Sequence, residues 1–301
     1  MPALVSAGGP PSPTAAWVLA TRPRTLVAGF VPVAVGSAVA FREGRFSLLP
    51  ALGALVGALL IQIGTNLFND AYDFKRGADT GERLGPARAT QQGWLSPEAV
   101  MRGAIACFAL AFVVGLYLVS VAGWPLLVVG VVSLVAGYAY TGGPFPLAYH
   151  GLGDAFVLVF FGLVAVSGTA FVLTQTVTPL ALAAGLPVGA LGVALLAVNN
   201  VRDVKTDTAA NKRTLVVRLG VGFGRAEYVA ALLVAAVVPV ALWAVGLASA
   251  AVLLPLVALP LGASPLRLVL RESGPVLNQA LAGTARLMLI YGVLFSVGLA
   301  R

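Results

Sequence analysis

The chain alternates long apolar runs with short turns and a few charged loops. Nine of the runs approach the roughly 20 residues that an α-helix needs to cross a bilayer. They cover residues 25–41, 48–72, 98–121, 124–140, 154–175, 179–204, 225–246, 248–263 and 276–300. The pattern therefore predicts an all-α integral membrane protein with about nine transmembrane helices.

Composition supports a membrane protein and excludes a soluble one. The chain is 59% hydrophobic and 10% charged, whereas soluble domains are about 45–50% apolar and about 25% charged. Met1 to Ala16 is rich in Pro and Gly and has no apolar core, so we expect a disordered tail at 1–16 and a single transmembrane domain at 17–301. Cys107 is the only cysteine, which leaves no disulfide framework and no cysteine-based metal site.

The basic residues lie mainly in alternate loops between the predicted helices. Most of the positive charge precedes the first helix, follows the second and sixth, or lies between the eighth and ninth. With nine helices, all these loops fall on one side of the membrane, and the positive-inside rule makes that side cytoplasmic. We therefore interpret the net charge of +8 as topology rather than nucleic-acid binding. The expected location is the cell (inner) membrane, with the N-terminus and charged loops cytoplasmic and the C-terminus outside.

Two of the apolar runs end in clusters of carboxylates and amides. The first cluster comprises Asn66, Asp70 and Asp73, and the second comprises Asn199, Asp203 and Asp207. Because their spacings are i, i+4 and i+7 or i+8, each set lies along one face of its helix. Helices two and six run in the same direction across the membrane, so both clusters are expected at the same cytoplasmic face.

Carboxylates at a helix C-terminus oppose the helix dipole and require a counter-charge. Mg²⁺ is bound in proteins through carboxylates and substrate phosphate oxygens, and nearby Lys and Arg side chains suit a diphosphate. The apolar interior suits a hydrocarbon tail, so the clusters predict ionisation of a lipid diphosphate at the membrane surface. Two alternatives remain. The acidic residues could be solvated loop charges without a catalytic role, or they could bind the coupling ion of a cation-coupled transporter, although transporter sites lie near the membrane midplane.

Several segments resemble a known family. The motifs NDAYDFKRGAD (69–79) and NNVRDVKTD (199–207) are similar to those of the UbiA-type intramembrane aromatic prenyltransferases. Four further segments resemble the menaquinone branch of this family, which prenylates 1,4-dihydroxy-2-naphthoate. They are RPRTL (22–26), RLGPARATQQGWLSP (83–97), the stretch beginning YTGGPFPL (140–147), and NKRTLVVRLG (211–220). The sequence departs from the family pattern at Asn211, where Gly is expected. This departure is minor, because Asn, like Gly, tolerates a left-handed backbone.

The resemblance implies a fold and a set of site residues. The fold would have nine transmembrane helices around a central cavity, with the acidic motifs at its cytoplasmic mouth. The implied Mg²⁺ ligands are Asn66, Asp70, Asp203 and Asp207. The implied catalytic residues are Asp70, Asp73, Asp203 and Asp207, with Asp73 assisting at the metal site. The implied diphosphate partners are Lys75, Arg76, Lys212 and Arg213. The implied acceptor residues are Tyr140 and Thr141, with Arg22 or Arg24 meeting the acceptor's carboxylate.

The implied reaction moves a polyprenyl chain from polyprenyl diphosphate to 1,4-dihydroxy-2-naphthoate, with loss of CO₂ and diphosphate, and gives demethylmenaquinol. Asp73 is expected to orient the acceptor or to take a proton. Another acceptor, such as 4-hydroxybenzoate or homogentisate, remains the alternative within the family. CDP-alcohol phosphotransferases are excluded because Asp73 is followed by Phe-Lys-Arg instead of their D-G-x-x-A-R sequence. Soluble polyprenyl synthases are excluded because the chain is too apolar.

Overall fold

The computed structural model describes residues 10–77 and 84–301, and this part of the chain contains helices and connecting loops but no strand. Eleven helical segments follow one another along it, besides two short 3₁₀ helices at Pro23–Thr25 and Leu147–His150. They are α1 (Pro13–Ala20), α2 (Val27–Arg42), α3 (Leu48–Lys75), α4 (Pro97–Ala122), α5 (Trp124–Ala139), α6 (Gly153–Thr174), α7 (Pro179–Ala209), α8 (Leu215–Leu219), α9 (Val221–Ala244), α10 (Ala250–Arg271) and α11 (Gly274–Leu299).

The predicted transmembrane helices are confirmed in approximate position, and their number agrees roughly, with seven or eight spans in the described part of the chain against about nine predicted. Among the described residues, seven helices are individually long and apolar enough to cross a membrane. The other two predicted spans are α2, which reaches spanning length together with α1 across a 52° bend, and the shorter apolar helix α5. The chain is therefore a multi-pass membrane protein.

The N-terminal segment differs from the expected tail. Helix α1 begins at Pro13, where the Ser12 hydroxyl accepts a hydrogen bond from the Ala15 N–H at 3.3 Å. Ala15 and Ala16 are buried, so residues 13–16 belong to the folded domain, because a capped and partly apolar turn finds a packing surface there. Residues 1–9 lie outside the described part of the chain.

Local capping signals set other helix starts. The Ser96 hydroxyl accepts a hydrogen bond from the Ala99 N–H at 3.2 Å, and Pro97 occupies the first helical position. The Thr178 hydroxyl caps α7 in the same way through the Ala181 N–H. Such caps satisfy amide groups that a helix leaves unpaired at its N-terminus, and they fix where α4 and α7 enter the bundle.

Helix α7 forms the centre of the bundle. In the most apolar 18-residue stretch of α7, 78% of the residues are buried, whereas in the corresponding stretch of α4 only 17% are buried. Glycines allow α6 to approach it closely: a Cβ at Gly162 would lie 2.7 Å from the carbonyl oxygen of Gly185. Residues 158–164 of α6 form a π-helical segment at this contact. The burial of α7 places the second acidic motif beside the core.

An apolar cavity of about 200 Å³ lies between α2, α3, α4, α5 and α6. Ile61, Gln62 and Thr65 line it from α3, and Phe156 and Phe160 line it from α6. Gln62 lies one turn before Asn66 on α3, so the cavity begins next to the first acidic motif. The fold thus joins an apolar chamber to a polar mouth.

Candidate active site

The first acidic motif is buried at the C-terminal end of α3. Asn66, Asp70 and Asp73 are each less than 5% exposed. The Asn66 amide nitrogen donates hydrogen bonds of 3.0 Å to the Thr21 carbonyl and to the Thr25 hydroxyl. This pair of bonds anchors the start of α2 to the motif and assigns the amide hydrogens of Asn66, which leaves its carbonyl oxygen as the group that can serve as a ligand.

The loop that follows α3 folds back over the motif. The Ala89 N–H donates to one Asp70 oxygen at 3.1 Å, and the Thr90 hydroxyl donates to the other. The Arg88 guanidinium donates to Asp73 Oδ2 and to the Asn69 carbonyl, both at 2.8 Å. Both aspartates therefore have partners within the chain, because buried carboxylates require donors or cations.

The loop between α5 and α6 completes the enclosure of the first motif. The Tyr149 hydroxyl donates to Asp73 Oδ1 at 2.8 Å, so both oxygens of Asp73 are occupied. The Thr141 hydroxyl donates to the Asn69 side-chain oxygen at 2.5 Å. The Arg76 guanidinium donates to the carbonyls of Thr141 and Gly143, which fixes this loop to the end of α3.

Two cations surround the ring of Tyr149. The Arg76 guanidinium lies 5.0 Å from the ring centroid, and the Lys212 ammonium lies 5.7 Å from it and 3.6 Å from Asp207 Oδ1. Burial by itself would lower the pKa of Lys212, but the carboxylates of Asp207 and Asp73 raise it overall. Burial, followed by the Asp73 carboxylate, raises the pKa of the Tyr149 phenol. Lys212 is therefore charged and Tyr149 is a neutral hydrogen-bond donor.

The second acidic motif is held by a buried arginine. Arg202 donates two hydrogen bonds to the carboxylate of Asp203, at 2.8 and 2.6 Å, and a third to Asn278 Oδ1 at 2.8 Å. The Asn278 amide nitrogen donates to the Leu84 carbonyl at 2.8 Å. This chain of contacts joins α7, α11 and the loop after α3, so both motifs lie at the same end of the bundle.

The aromatic acceptor residues predicted from sequence, Tyr140 and Thr141, lie directly after α5, at the start of the loop that encloses the first motif. Tyr140 packs against Phe156 with ring centroids 5.2 Å apart. Burial, then the carboxylates of Asp154, Asp73 and Asp207, raise the pKa of Tyr140, while Arg22 acts in the opposite direction. Arg22 is half-buried, whereas Arg24 is exposed.

The structure brings together most of the residues that the sequence singled out. Lys75, Arg213 and Arg24 are exposed at the rim, and Asn199 turns its amide back to the Leu195 carbonyl of its own helix. Sequence reasoning missed five residues that complete the site: Arg88, Thr90, Tyr149, Asp154 and Asn278. Asp154 is buried beside Tyr140, and its Oδ1 has no hydrogen-bond partner among the described residues.

The residue types fit a Mg²⁺ ion that arrives with phosphate. Within residues 10–77 and 84–301, no three His, Cys, Asp or Glu side chains converge on a preformed ion site. Mg²⁺ retains several waters and is commonly held by one or two carboxylates plus substrate phosphates, so a complete cage is not needed. Asn66, Asp70, Asp203 and Asp207 supply only hard oxygen ligands, which this ion prefers.

The sequence matches the model of the UbiA prenyltransferase family over residues 29–291. It is 38% identical over 295 residues to the 1,4-dihydroxy-2-naphthoate octaprenyltransferase of Escherichia coli strain K12, an alignment that covers 96% of both chains. It is 37% identical over 204 residues to the octaprenyltransferase of the same name in Bacillus subtilis strain 168. That second alignment covers 68% of this chain and 65% of the Bacillus protein.

Solved structures with the same fold have much lower sequence identity. A digeranylgeranylglyceryl phosphate synthase aligns with a TM-score of 0.62 at 15% identity, covering 96% of this chain and 99% of the other. A UbiA homologue from Archaeoglobus fulgidus, solved with DMAPP and Mg²⁺, aligns with a TM-score of 0.61 at 18% identity, covering 93% of this chain and 99% of the other. The helical bundle, the two acidic motifs at one end of it and the extent of the family match agree, and the chain belongs to the UbiA prenyltransferase family.

Proposed function

We propose that the protein transfers a polyprenyl chain from polyprenyl diphosphate to 1,4-dihydroxy-2-naphthoate, with loss of CO₂ and diphosphate, to give demethylmenaquinol. The observation that carries this proposal is the 38% identity with the Escherichia coli enzyme over 96% of both chains. The site adds support, because a polar mouth with carboxylates and cations opens next to an apolar cavity.

We assign the Mg²⁺ ligands to Asn66, Asp70, Asp203 and Asp207. When bound, Mg²⁺ would neutralise the diphosphate and make it a better leaving group. The occurrence of Mg²⁺ and DMAPP together in the Archaeoglobus structure supports this assignment. The present partners of Asp70 and Asp203 would keep these carboxylates oriented toward the mouth.

The chain's own cations would bind the remaining charge of the diphosphate. Lys212 is the best placed, because its side chain is one-fifth exposed and a single ion pair, at 3.6 Å, holds it among the described residues. Lys75 and Arg213 are exposed at the same rim. Arg76 already binds two carbonyls of the loop after α5, so we propose that it positions this loop as well as contributing charge.

The hydrocarbon tail would enter the apolar cavity. Phe156 and Phe160 stack with centroids 4.6 Å apart and line this cavity. Aromatic faces attract cations, so this pair would stabilise the allylic cation that forms when the bond from carbon to oxygen breaks. The apolar lining would also exclude water, which would otherwise capture the cation.

The acceptor would lie beside Tyr140 and Thr141. Arg22 is the candidate for the acceptor's carboxylate, because it is half-buried while Arg24 is exposed. Both oxygens of Asp73 are occupied by Arg88 and Tyr149. The Arg88 guanidinium, 2.8 Å from Oδ2, disfavours protonation of Asp73, so Asp73 is better suited to holding the acceptor loop in place than to accepting a proton.

We also propose that the acidic motifs face the cytoplasm, since the loops at their end of the bundle carry most of the Lys and Arg. The C-terminus then lies on the outer side of the cell membrane. This orientation would give the water-soluble acceptor and the diphosphate product direct access to the cytoplasm.

Purified protein should be incubated with Mg²⁺, polyprenyl diphosphates of several lengths and a panel of aromatic acids. The panel contains 1,4-dihydroxy-2-naphthoate, 4-hydroxybenzoate and homogentisate, and products are identified by mass. We expect a decarboxylated, prenylated product from the naphthoate alone. Faster turnover of either other acid would reassign the acceptor, and no prenylated product from any acid would refute the proposal.

A further inference from the structure

A second polar feature lies on the outer surface of the bundle, away from the acidic motifs. Arg286 is an exposed arginine within helix α11. It is 12 residues after Gly274, where the segment begins, which corresponds to about 18 Å along the helix axis at roughly 1.5 Å per residue. It is therefore far from the helix ends, where arginines are easily solvated.

No carboxylate of the described residues neutralises this side chain. The ion pairs among the described residues join Arg88 to Asp73, Arg202 to Asp203 and Lys212 to Asp207. An unpaired charge at membrane depth is costly and usually marks a functional contact. A negative partner from outside the chain would remove that cost.

The surface around Arg286 forms a groove between α10 and α11. Its volume is about 400 Å³, and its lining comprises Pro260, Leu261, Ser264, Pro265, Leu268, Gln279, Gly283 and Arg286. Gly283 forms the floor, since a Cβ there would lie 2.6 Å from the Pro265 ring. Two further polar side chains, Ser264 and Gln279, are exposed in the same groove. A cation and two neutral polar groups thus converge on one concave surface.

The direction of α11 brings the guanidinium toward the membrane surface. The start of α11 lies at the end of the bundle that carries the acidic motifs, because Asn278 contacts Arg202 and Leu84. Helical side chains lean toward the N-terminus of their helix. Arg286 therefore extends toward Gly283 and Gln279, and toward the headgroups of the leaflet at that end.

We propose that this groove, which we name the α10–α11 groove, binds the phosphate of an anionic phospholipid from that leaflet. Arg286 would donate to the phosphate, Ser264 and Gln279 would bind the neighbouring oxygens, and the acyl chains would lie along the exposed apolar face of α10. Basic pockets between transmembrane helices on this side are suited to anionic headgroups.

Native mass spectrometry of the full chain tests this proposal. Protein is exposed to equal amounts of phosphatidylglycerol and phosphatidylcholine, and the retained lipid is counted for the parent, Arg286→Gln, Arg286→Lys and Arg267→Gln. We expect the parent to retain one phosphatidylglycerol in preference to phosphatidylcholine. Arg286→Gln should weaken this retention by at least about tenfold, the lower end of the range for one charge-assisted hydrogen bond.

The other two variants separate a specific site from general surface charge and from misfolding. Arg286→Lys keeps the charge and should retain most of the binding, and Arg267→Gln removes one exposed charge outside the groove and should bind as the parent does. Equal binding of the two lipids, or equal losses in Arg286→Gln and Arg267→Gln, would overturn the proposal.

Turnover distinguishes this site from the catalytic one. None of the lining residues belongs to the candidate active site, so Arg286→Gln should turn over normally in phosphatidylcholine alone. If that variant instead keeps its phosphatidylglycerol and shows a raised KM for polyprenyl diphosphate, the groove binds the prenyl donor and the phospholipid assignment is wrong.

Discussion

Asp203→Asn tests the candidate metal site and its internal counter-charge together. The side chain of Arg202 is 2% exposed and makes both hydrogen bonds to the Asp203 carboxylate. Neutralising Asp203 leaves this guanidinium buried with only Asn278 as a neutral partner. Removing one partner of a buried ion pair costs about 3–5 kcal/mol, and Asp203 is one-fifth exposed, so we expect about 3 kcal/mol, the lower end of that range.

The same substitution should also abolish catalysis. Asp203 is assigned as a ligand of Mg²⁺, and losing one electrostatic contact to a leaving group costs roughly 10²–10³ in rate. Turnover should therefore fall by at least that factor even when the protein is folded. Stability is measured by chemical unfolding in detergent without metal, and turnover is measured from the prenylated product.

The double variant Arg202→Met/Asp203→Asn separates the two effects. Removing the stranded cation should restore most of the lost stability, because the buried charge is replaced by an apolar side chain of similar length. Turnover should remain as low as in Asp203→Asn. Near-normal turnover in Asp203→Asn, or recovery of turnover together with stability in the double variant, would show that Asp203 has a structural role only.

The remaining predictions concern the metal, the orientation and the acceptor. A chelator should abolish turnover and added Mg²⁺ should restore it, and activity that persists in the chelator would contradict the assigned ligands. In a Cys107→Ala background, Asn211→Cys should react with an impermeant thiol reagent only from the cytoplasmic side, and labelling from outside would reverse the proposed orientation. Arg22→Gln should raise the KM for the acceptor by at least about tenfold with little change in the KM for the donor. Arg24→Gln should leave both KM values unchanged. Equal effects of the two variants would show that Arg22 does not bind the acceptor's carboxylate.

The helices were predictable because their signals are local. Apolar runs of spanning length and the cap at Ser96 depend only on neighbouring residues, and the corresponding elements appear within a few residues of their predicted limits. The largest boundary error is in α10, which was predicted to end near residue 263 and continues to Arg271. Its last turns carry Arg267 and Arg271 at the membrane surface, so they end the apolar run without ending the helix.

The contacts that complete the site were not predictable in this way. Arg88 reaches Asp73 across 15 positions, Tyr149 reaches it across 76, and Asn278 reaches Leu84 across 194. Hydrophobic periodicity contains no information about such distant pairings. Asn211 has a left-handed backbone (φ 53°), a conformation that Asn tolerates better than most residues.

The site contains two kinds of cation, fixed arginines and a more mobile lysine. The fixed arginines account for the burial of carboxylates at two helix C-termini. Arg88 and Arg202 each donate at least two short hydrogen bonds and are less than 10% exposed, so they are fixed neighbours that offset the cost of burying Asp73 and Asp203. Lys212 has one ion pair, at 3.6 Å, and one ring contact, and its side chain is one-fifth exposed. Its flexible ammonium can leave Asp207 for an arriving diphosphate at little cost. Asp207, released by Lys212, would then be free to help hold a Mg²⁺ ion, and the fixed arginines would keep the other carboxylates in position.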